Sequence, residues 1–335
     1  MSEKYDVVCT NPPYMSSSGM NPKLSDFLKK NYPDDKSDLF AVFIEKCCRF
    51  TDINCYQSMI TQHTWMFLSS FKKMRKKLIS IDIVNMVHLG TRAFEEIGGE
   101  VVQTTSWVQR KSNVKNYKGI YRRLVDYSSQ QAKEDAFLSG SDLYTTVKEN
   151  FSKVPGSPIA YWLSKNMIDN FKEGISIETI SDFTGSQNKT ANNEKYLRYI
   201  WEVDKNHIGQ EKNWVIYAKG GDFRKHYGNL EYLVDWSFKA RTYYKKNPTS
   251  NLLNEKYWYR KGITYTKVSS RGTSFRYLPE GCVFDMGGPT INYLNEIYYI
   301  LALLNTNVVS SYLKILNPTI NIQAQDIKNI PIIIN

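Results

Sequence analysis

The first apolar run, Tyr5-Asp-Val-Val-Cys-Thr10, is short and rich in β-formers. It stops at Asn11-Pro12-Pro13, where two prolines in a row cannot continue a hydrogen-bonded ladder, so the pattern predicts a strand that ends in a stiff loop. Ser37 then reads as the N-cap of a helix over 38–50, because Leu39, Phe40, Phe43, Ile44 and Cys47 recur at helical spacing. Residues 55–61 read as a buried strand, and Ser69 and Ser70 open a basic helix carrying Lys72, Lys73, Arg75, Lys76 and Lys77. A charged outer helix is the commoner explanation of such a face, with phosphate tracking as the alternative. Two more strands follow over 81–89 and 100–110; the second alternates Val101, Gln103, Thr105, Trp107 and Gln109 on one face. Strand, loop, helix, strand, helix, strand, strand is half of a doubly wound, Rossmann-like α/β sheet, entered in the middle.

Residues 111–154 are polar and mixed, and read as the end of this domain and a link. Lys153-Val-Pro-Gly-Ser-Pro158 is the clearest boundary signal. The expected division is therefore 1–152 and 153–335. The second part is richer in Tyr, Trp, Asn and Gly with short segments, which predicts an irregular α+β domain. Within it, 292–316 reads as two helices broken near Asn305-Thr-Asn307, and 327–334 as an apolar strand interrupted by Pro331. No internal repeat or low-complexity tract is visible.

Composition changes this picture only in part. The 335 residues are 41% hydrophobic and 23% charged, ordinary values for a folded soluble protein. Aromatic content is 14%, with 24 Tyr and 7 Trp; that suits stacking on bases, although tyrosines also fill cores. Net charge is +11: residues 1–150 hold 21 Lys+Arg and 17 Asp+Glu, a surplus of 4, and residues 151–335 hold 23 and 16, a surplus of 7. A basic surplus favours a polyanionic partner through counterion release. Five cysteines (Cys9, Cys47, Cys48, Cys55, Cys282) without CxxC spacing argue against a disulfide framework or zinc, and no two of the four histidines sit at ligand spacing, so no metal is expected. There is no signal peptide, and the longest apolar run, 297–304, is far short of a span. A cytoplasmic protein with no membrane partner is expected.

Asn11-Pro12-Pro13-Tyr14 sits where α/β sheets place their sites, at the carboxyl end of a strand. An exocyclic amine attacking an electrophilic methyl needs its hydrogens held by acceptors, so that its lone pair faces the carbon. An Asn side-chain carbonyl and the carbonyl before a second proline both accept, and prolines hold them rigidly. Tyr14 offers a face for a flipped-out base. The plain alternative is an Asn-Pro turn after a strand.

Asp6-Val-Val-Cys-Thr-Asn-Pro-Pro-Tyr14 resembles the catalytic motif of amino-group methyltransferases acting on adenine, and the order of that motif before a specificity domain resembles their gamma-type arrangement. The resemblance implies that Asn11, Pro12, Pro13 and Tyr14 form the catalytic motif, that Asn11 and Pro12 bind the adenine amine, and that Tyr14 stacks on the ring. Phe94, in Gly90-Thr-Arg-Ala-Phe94, is the candidate for closing the other face, with a core Phe as its alternative. Further motifs sharpen the match: Pro155-Gly-Ser-Pro-Ile-Ala-Tyr-Trp162, Lys219-Gly-Gly-Asp-Phe-Arg-Lys-His-Tyr-Gly-Asn229, Lys261-Gly-Ile-Thr-Tyr265 and Phe284-Asp-Met-Gly-Gly-Pro289 together resemble the PglX-type adenine-specific DNA methyltransferases of BREX phage-defence systems. That resemblance, over nearly the whole chain, implies methylation of adenine N6 in host duplex DNA from S-adenosyl-L-methionine, in concert with other defence proteins. The chain begins just before the catalytic strand and has no glycine-rich strand-to-helix turn, so its donor site is expected to be incomplete.

In the second domain, loops of Gly, Lys, Arg and Ser supply what phosphates need, cations and freed backbone N–H groups. Lys219 with Arg224 and Lys225 form one cluster, Lys267 with Arg271 and Arg276 a second, and Lys189 a third; the arginines could also read guanine edges. Two other readings stay open at this point. One is a DNA-recognition and defence-assembly module with no activity of its own; the other is methylation of RNA or of a protein glutamine.

Overall fold

The computed structural model describes residues 3–94, 102–184, 187–292 and 295–333. The chain divides into two compact units, Met1–Glu173 and Gly174–Asn335.

Unit 1 contains β1 (Tyr5–Thr10), α1 (Pro22–Asn31), α2 (Leu39–Phe50), β2 (Thr51–Gln62), α3 (Lys72–Leu78), β3 (Asp82–Gly90), β4 (Thr104–Arg110), β5 (Lys118–Arg123), α4 (Gln130–Leu138), β6 (Leu143–Val147) and α5 (Lys165–Glu173). The six strands form one mixed sheet in the order β1-β2-β4-β3-β5-β6. β1 and β2 run parallel, as do β3 and β5, and β4 is antiparallel to both of its neighbours. The carboxyl ends of β1, β2 and β3 therefore share one rim. Phe40 and Ile44 of α2 pack on Met59, Trp107 and Tyr121 of the sheet, all buried.

Several expectations meet corrections here. Asp38, not Ser37, caps α2: its Oδ1 accepts from the Phe40 amide at 3.4 Å. β2 is longer than the apolar pattern showed, because its first residues pair with β1 despite their exposure. Val101, expected to begin the alternation of β4, lies outside the described residues. Residues 111–154 are no link, since they supply β5, α4 and β6 to the sheet. The segment after Val154 also packs into unit 1. Ile159 and Tyr161 are buried, Tyr161 stacks on Tyr121 at 4.7 Å, and the Ile159 amide donates to the Met66 carbonyl at 2.9 Å. The compact unit consequently ends at Glu173, beyond the proline-glycine signal at 153–158.

Arg75 and Lys77 of α3 have partners inside the unit, while Lys72 and Lys76 are exposed. Arg75 is fully buried and donates to the carbonyls of Trp65, Leu68, Gly156 and Ser157, while Lys77 bridges Asp34 and Glu45, both at 3.0 Å.

Unit 2 is irregular α+β, as its short segments predict. Its elements are β7 (Ile175–Ser176), α6 (Ile177–Ile180), β8 (Asp182–Phe183), α7 (Asn193–Tyr196), β9 (Leu197–Tyr199), β10 (Trp214–Ala218), β11 (Tyr232–Asp235) and α8 (Phe238–Lys246), followed by β12 (Gly262–Tyr265), β13 (Phe275–Leu278), β14 (Cys282–Phe284), β15 (Thr290–Asn292), α9 (Ile297–Leu304), α10 (Asn307–Leu316), α11 (Ala324–Lys328) and β16 (Pro331–Ile332). They build a sheet β14-β10-β11-β9, a second sheet β13-β12-β15-β8 and the pair β16-β7. The expected break near Asn305 is present between α9 and α10. Of the expected strand over 327–334, the first two residues close α11, whose start is fixed by Asp326 accepting from the Gln323 amide at 2.8 Å; only Pro331 and Ile332 pair as a strand, and residue 334 lies outside the described residues. No single helix among the described residues is long and apolar enough to cross a membrane.

Candidate functional site

β1 delivers Asn11 to the rim of the sheet, where the side chain is exposed, while Pro12 is buried beneath it. The chain then turns onto the start of α2. The Met15 amide donates to Asp38 Oδ1 at 3.1 Å, and the Leu39 amide donates to the Met15 carbonyl at 2.9 Å. Burial pushes the Asp38 carboxyl above its usual range, against the pull of these amides. Tyr14 is half-buried and meets Phe40 edge-on, with ring centroids 6.1 Å apart at 82°. Its hydroxyl is buried without a hydrogen-bond partner among the described residues, and burial together with the Asp38 carboxylate raises its pKa. A loop held by two prolines, one helix cap and one ring contact has little freedom, which is what a rigid pair of hydrogen-bond acceptors requires.

Phe94 lies on the same rim, four residues past β3 and partly buried. β1 and β3 are separated by three strand spacings, about 14 Å at roughly 4.8 Å each. The strand ends that precede the two aromatics are therefore set apart along one edge.

One feature of this rim leaves no mark in the residue pattern. His63 follows β2 and His88 lies near the end of β3, and across the intervening β4 their rings join through Nδ1 and Nε2 at 2.7 Å. Both are buried, among Phe67, Tyr161 and Trp162. Burial lowers His63 to about 4 and holds His88 well below its ordinary range, so the pair is neutral at physiological pH. Only the register of β2, β4 and β3 puts two residues so far apart in sequence side by side. Lys133 on α4 fixes the next stretch by donating to the carbonyls of Leu89, Leu124 and Tyr127 at 2.6–2.8 Å.

In unit 2 the three basic clusters converge. Gly220 lies so close to the Gly287 carbonyl that a Cβ would collide with it. Thr266 and the Arg276 guanidinium donate to the Gly220 carbonyl at 3.3 and 3.4 Å. Asn188 donates to the Phe284 carbonyl at 3.1 Å. The loops around 188, 220, 266 and 286 are thus one surface. Lys189, Arg224, Lys225 and Arg271 are exposed on it, and Lys219 and Lys267 are partly exposed. Lys219 faces Asp285 at 3.8 Å, Arg224 pairs with Glu231 at 2.9 Å, and Lys225 donates to the Asn305 carbonyl at 2.8 Å.

Arg276 departs from expectation. It is fully buried in β13, and its Nη1 also donates to the Arg224 carbonyl and to Ser274 Oγ, so it braces the loop and faces no ligand. Beside Lys225 and Arg271 lies a cavity of about 480 Å³, which Lys314 also lines, and no acidic residue among the described ones lines it. No group of three or more His, Cys, Asp or Glu among the described residues is placed to hold a metal.

Residues 1–94 match the Eco57I restriction-modification methylase family. The fold matches the Type IIL restriction-modification enzyme MmeI, solved in complex with DNA, with a TM-score of 0.60 over 95% of this chain and 45% of that one at 11% identity. Residues 1–94 are thus similar in sequence to a restriction-modification methylase family, and the chain is similar in fold to one restriction-modification enzyme. More particularly, the sequence resembles the PglX and BrxX adenine-specific methyltransferases from end to end. It is 41% identical over 357 residues to PglX of Lacticaseibacillus casei (strain Zhang), covering 99% of this chain and 30% of that protein. It is 36% identical over 349 residues to BrxX of Escherichia coli O9:H4 (strain HS), covering 100% of this chain and 28% of that one. The chain therefore spans less than a third of the length of these curated relatives.

Proposed function

We propose that this chain carries the base-holding part of an adenine-N6 DNA methyltransferase, with unit 2 as its DNA-recognition surface. The observation that carries the reading is Asn11-Pro12-Pro13-Tyr14 at the carboxyl end of β1, with Asn11 exposed and Tyr14 pinned between α2 and the rim. The Asn11 side-chain carbonyl and the Pro12 main-chain carbonyl accept the two hydrogens of the amine and turn its lone pair away from both. No strong base is needed, because the amine loses its proton to water after transfer. The exposed part of Tyr14 supports the adenine ring, which helps offset the few kcal/mol that extruding a base costs. Exposed Lys189, Arg224, Lys225 and Arg271 hold the backbone, and counterion release supplies much of the affinity.

The donor in this reading is S-adenosyl-L-methionine. The described residues do not fit it: the described glycines of unit 1 (Gly19, Gly90, Gly119, Gly140 and Gly156) form no strand-to-helix cradle, so no step is assigned to a donor contact. In the same reading the methyl mark distinguishes host DNA from phage DNA, and other defence proteins act beside it.

Protein purified from its native cells, supplied with radiolabelled donor and equal amounts of duplex DNA, RNA and protein, tests the substrate. The expected result is label in DNA as N6-methyladenine. Label in RNA or on glutamine would overturn it.

A further inference from the structure

On the edge of the sheet β14-β10-β11-β9, three aromatic rings stand in series. Tyr199 ends β9 and Tyr232 opens β11, and the register pairs them directly. Their rings lie 4.9 Å apart at 29°, and Trp201, just past the strand, stacks on Tyr199 at 4.4 Å and 7°. At the inner end Lys219 Nζ sits over Tyr232, 5.4 Å from the ring centroid. One face of Trp201 is covered by Tyr199, yet 70% of the residue is exposed, whereas tryptophan is highly buried on average. The ladder therefore ends in an open indole face. A cavity of about 270 Å³ lies against it, lined also by Lys219, Arg224, Asp222 and Glu231.

A row of near-parallel rings with an open end matches what an unstacked nucleobase needs, a flat π-face with cations near its phosphate. Both cations belong to the 219–225 loop, which continues into the basic surface described above. Two acids line the cavity among the described residues; one of them, Glu231, pairs with Arg224 at 2.9 Å, and Asp285, outside the lining, pairs with Lys219 at 3.8 Å.

We propose that Trp201 is a stacking platform for an unpaired base of bound DNA, with Tyr199 and Tyr232 stiffening it and the 219–225 loop receiving the adjoining phosphate. The inference rests on the reading of unit 2 as the DNA-facing unit.

The test is fluorescence anisotropy of the full 335-residue chain with two labelled duplexes, identical except that one carries a single unpaired adenine. Wild type is expected to prefer the bulged duplex about 10-fold, the size of one base–aromatic stack. Trp201→Ala should bring that preference to unity, and Trp201→Phe should restore most of it. Because Trp201 is exposed, neither variant should alter folding, and unchanged circular dichroism checks this. If Trp201→Ala keeps the full preference, or wild type has none, the platform is refuted while salt-sensitive duplex binding leaves the DNA reading standing. If wild type binds neither duplex, the DNA reading itself falls, and the platform with it.

Discussion

Acidification should expose the buried His63–His88 pair. An unfolded histidine takes its proton near pH 6.5, whereas burial delays His63 until about 4. Between those values the unfolded chain binds a proton that the folded chain refuses, so stability is full above pH 6.5 and falls as pH drops. The gap of about 2.5 units at 1.36 kcal/mol each gives a loss of about 3 kcal/mol by pH 4. His88 adds to it in the same direction. That is a large share of the roughly 5–15 kcal/mol of a typical domain. Urea denaturation followed by tryptophan fluorescence measures it, with Trp65, Trp107 and Trp162 reporting unit 1. The comparison is wild type against His63→Gln, which cannot titrate. His63→Gln should be the less stable at pH 7.5, and the gap should shrink by about 3 kcal/mol by pH 4. A gap that stays constant from pH 7.5 to 4 would refute a buried neutral pair.

A second group pulls the other way. Asp35 is fully buried, and burial together with the Glu45 carboxyl group beside it raises it to about 8. Its contribution is present below pH 4 and lost as pH rises through about 8, so the wild-type melting temperature should fall from pH 5.5 to 9 more than that of Asp35→Asn. Arg75→Met strands four carbonyls that share one guanidinium and should cost about 3 kcal/mol or more, whereas Lys76→Ala on the same helix should leave thermal melting unchanged. Arg271→Ala should reduce the slope of log affinity for DNA against log salt by about 0.9, the loss of one phosphate contact. Arg276→Ala should instead lower the melting temperature, since that side chain is buried.

Much of unit 1 was legible because local chemistry sets it. The prolines end β1, the 3.6-residue spacing of Phe40, Ile44 and Cys47 makes α2, and the motif at 11–14 needs no distant partner to be placed at a strand end. What stayed hidden depends on pairing between distant segments. Residues 111–154 look polar because β5 and β6 lie toward the edge of the sheet, where alternate positions face water. Ile159 and Tyr161 follow a proline-glycine turn that marks a corner in the chain rather than the end of a core. Arg276 and Arg271 are five residues apart in one basic stretch, and only the β12–β13 ladder decides that one is inside and the other out. Trp201 was one aromatic among many until Tyr199 and Tyr232 aligned beside it.

The most direct test of the central claim is a chromosomal Asn11→Ala substitution, with N6-methyladenine mapped across the genome of the native cells. The account predicts a sequence-specific set of methylated adenines in the wild type that vanishes in the variant while protein level is maintained. Methylation that persists at the same sites in the variant would contradict it.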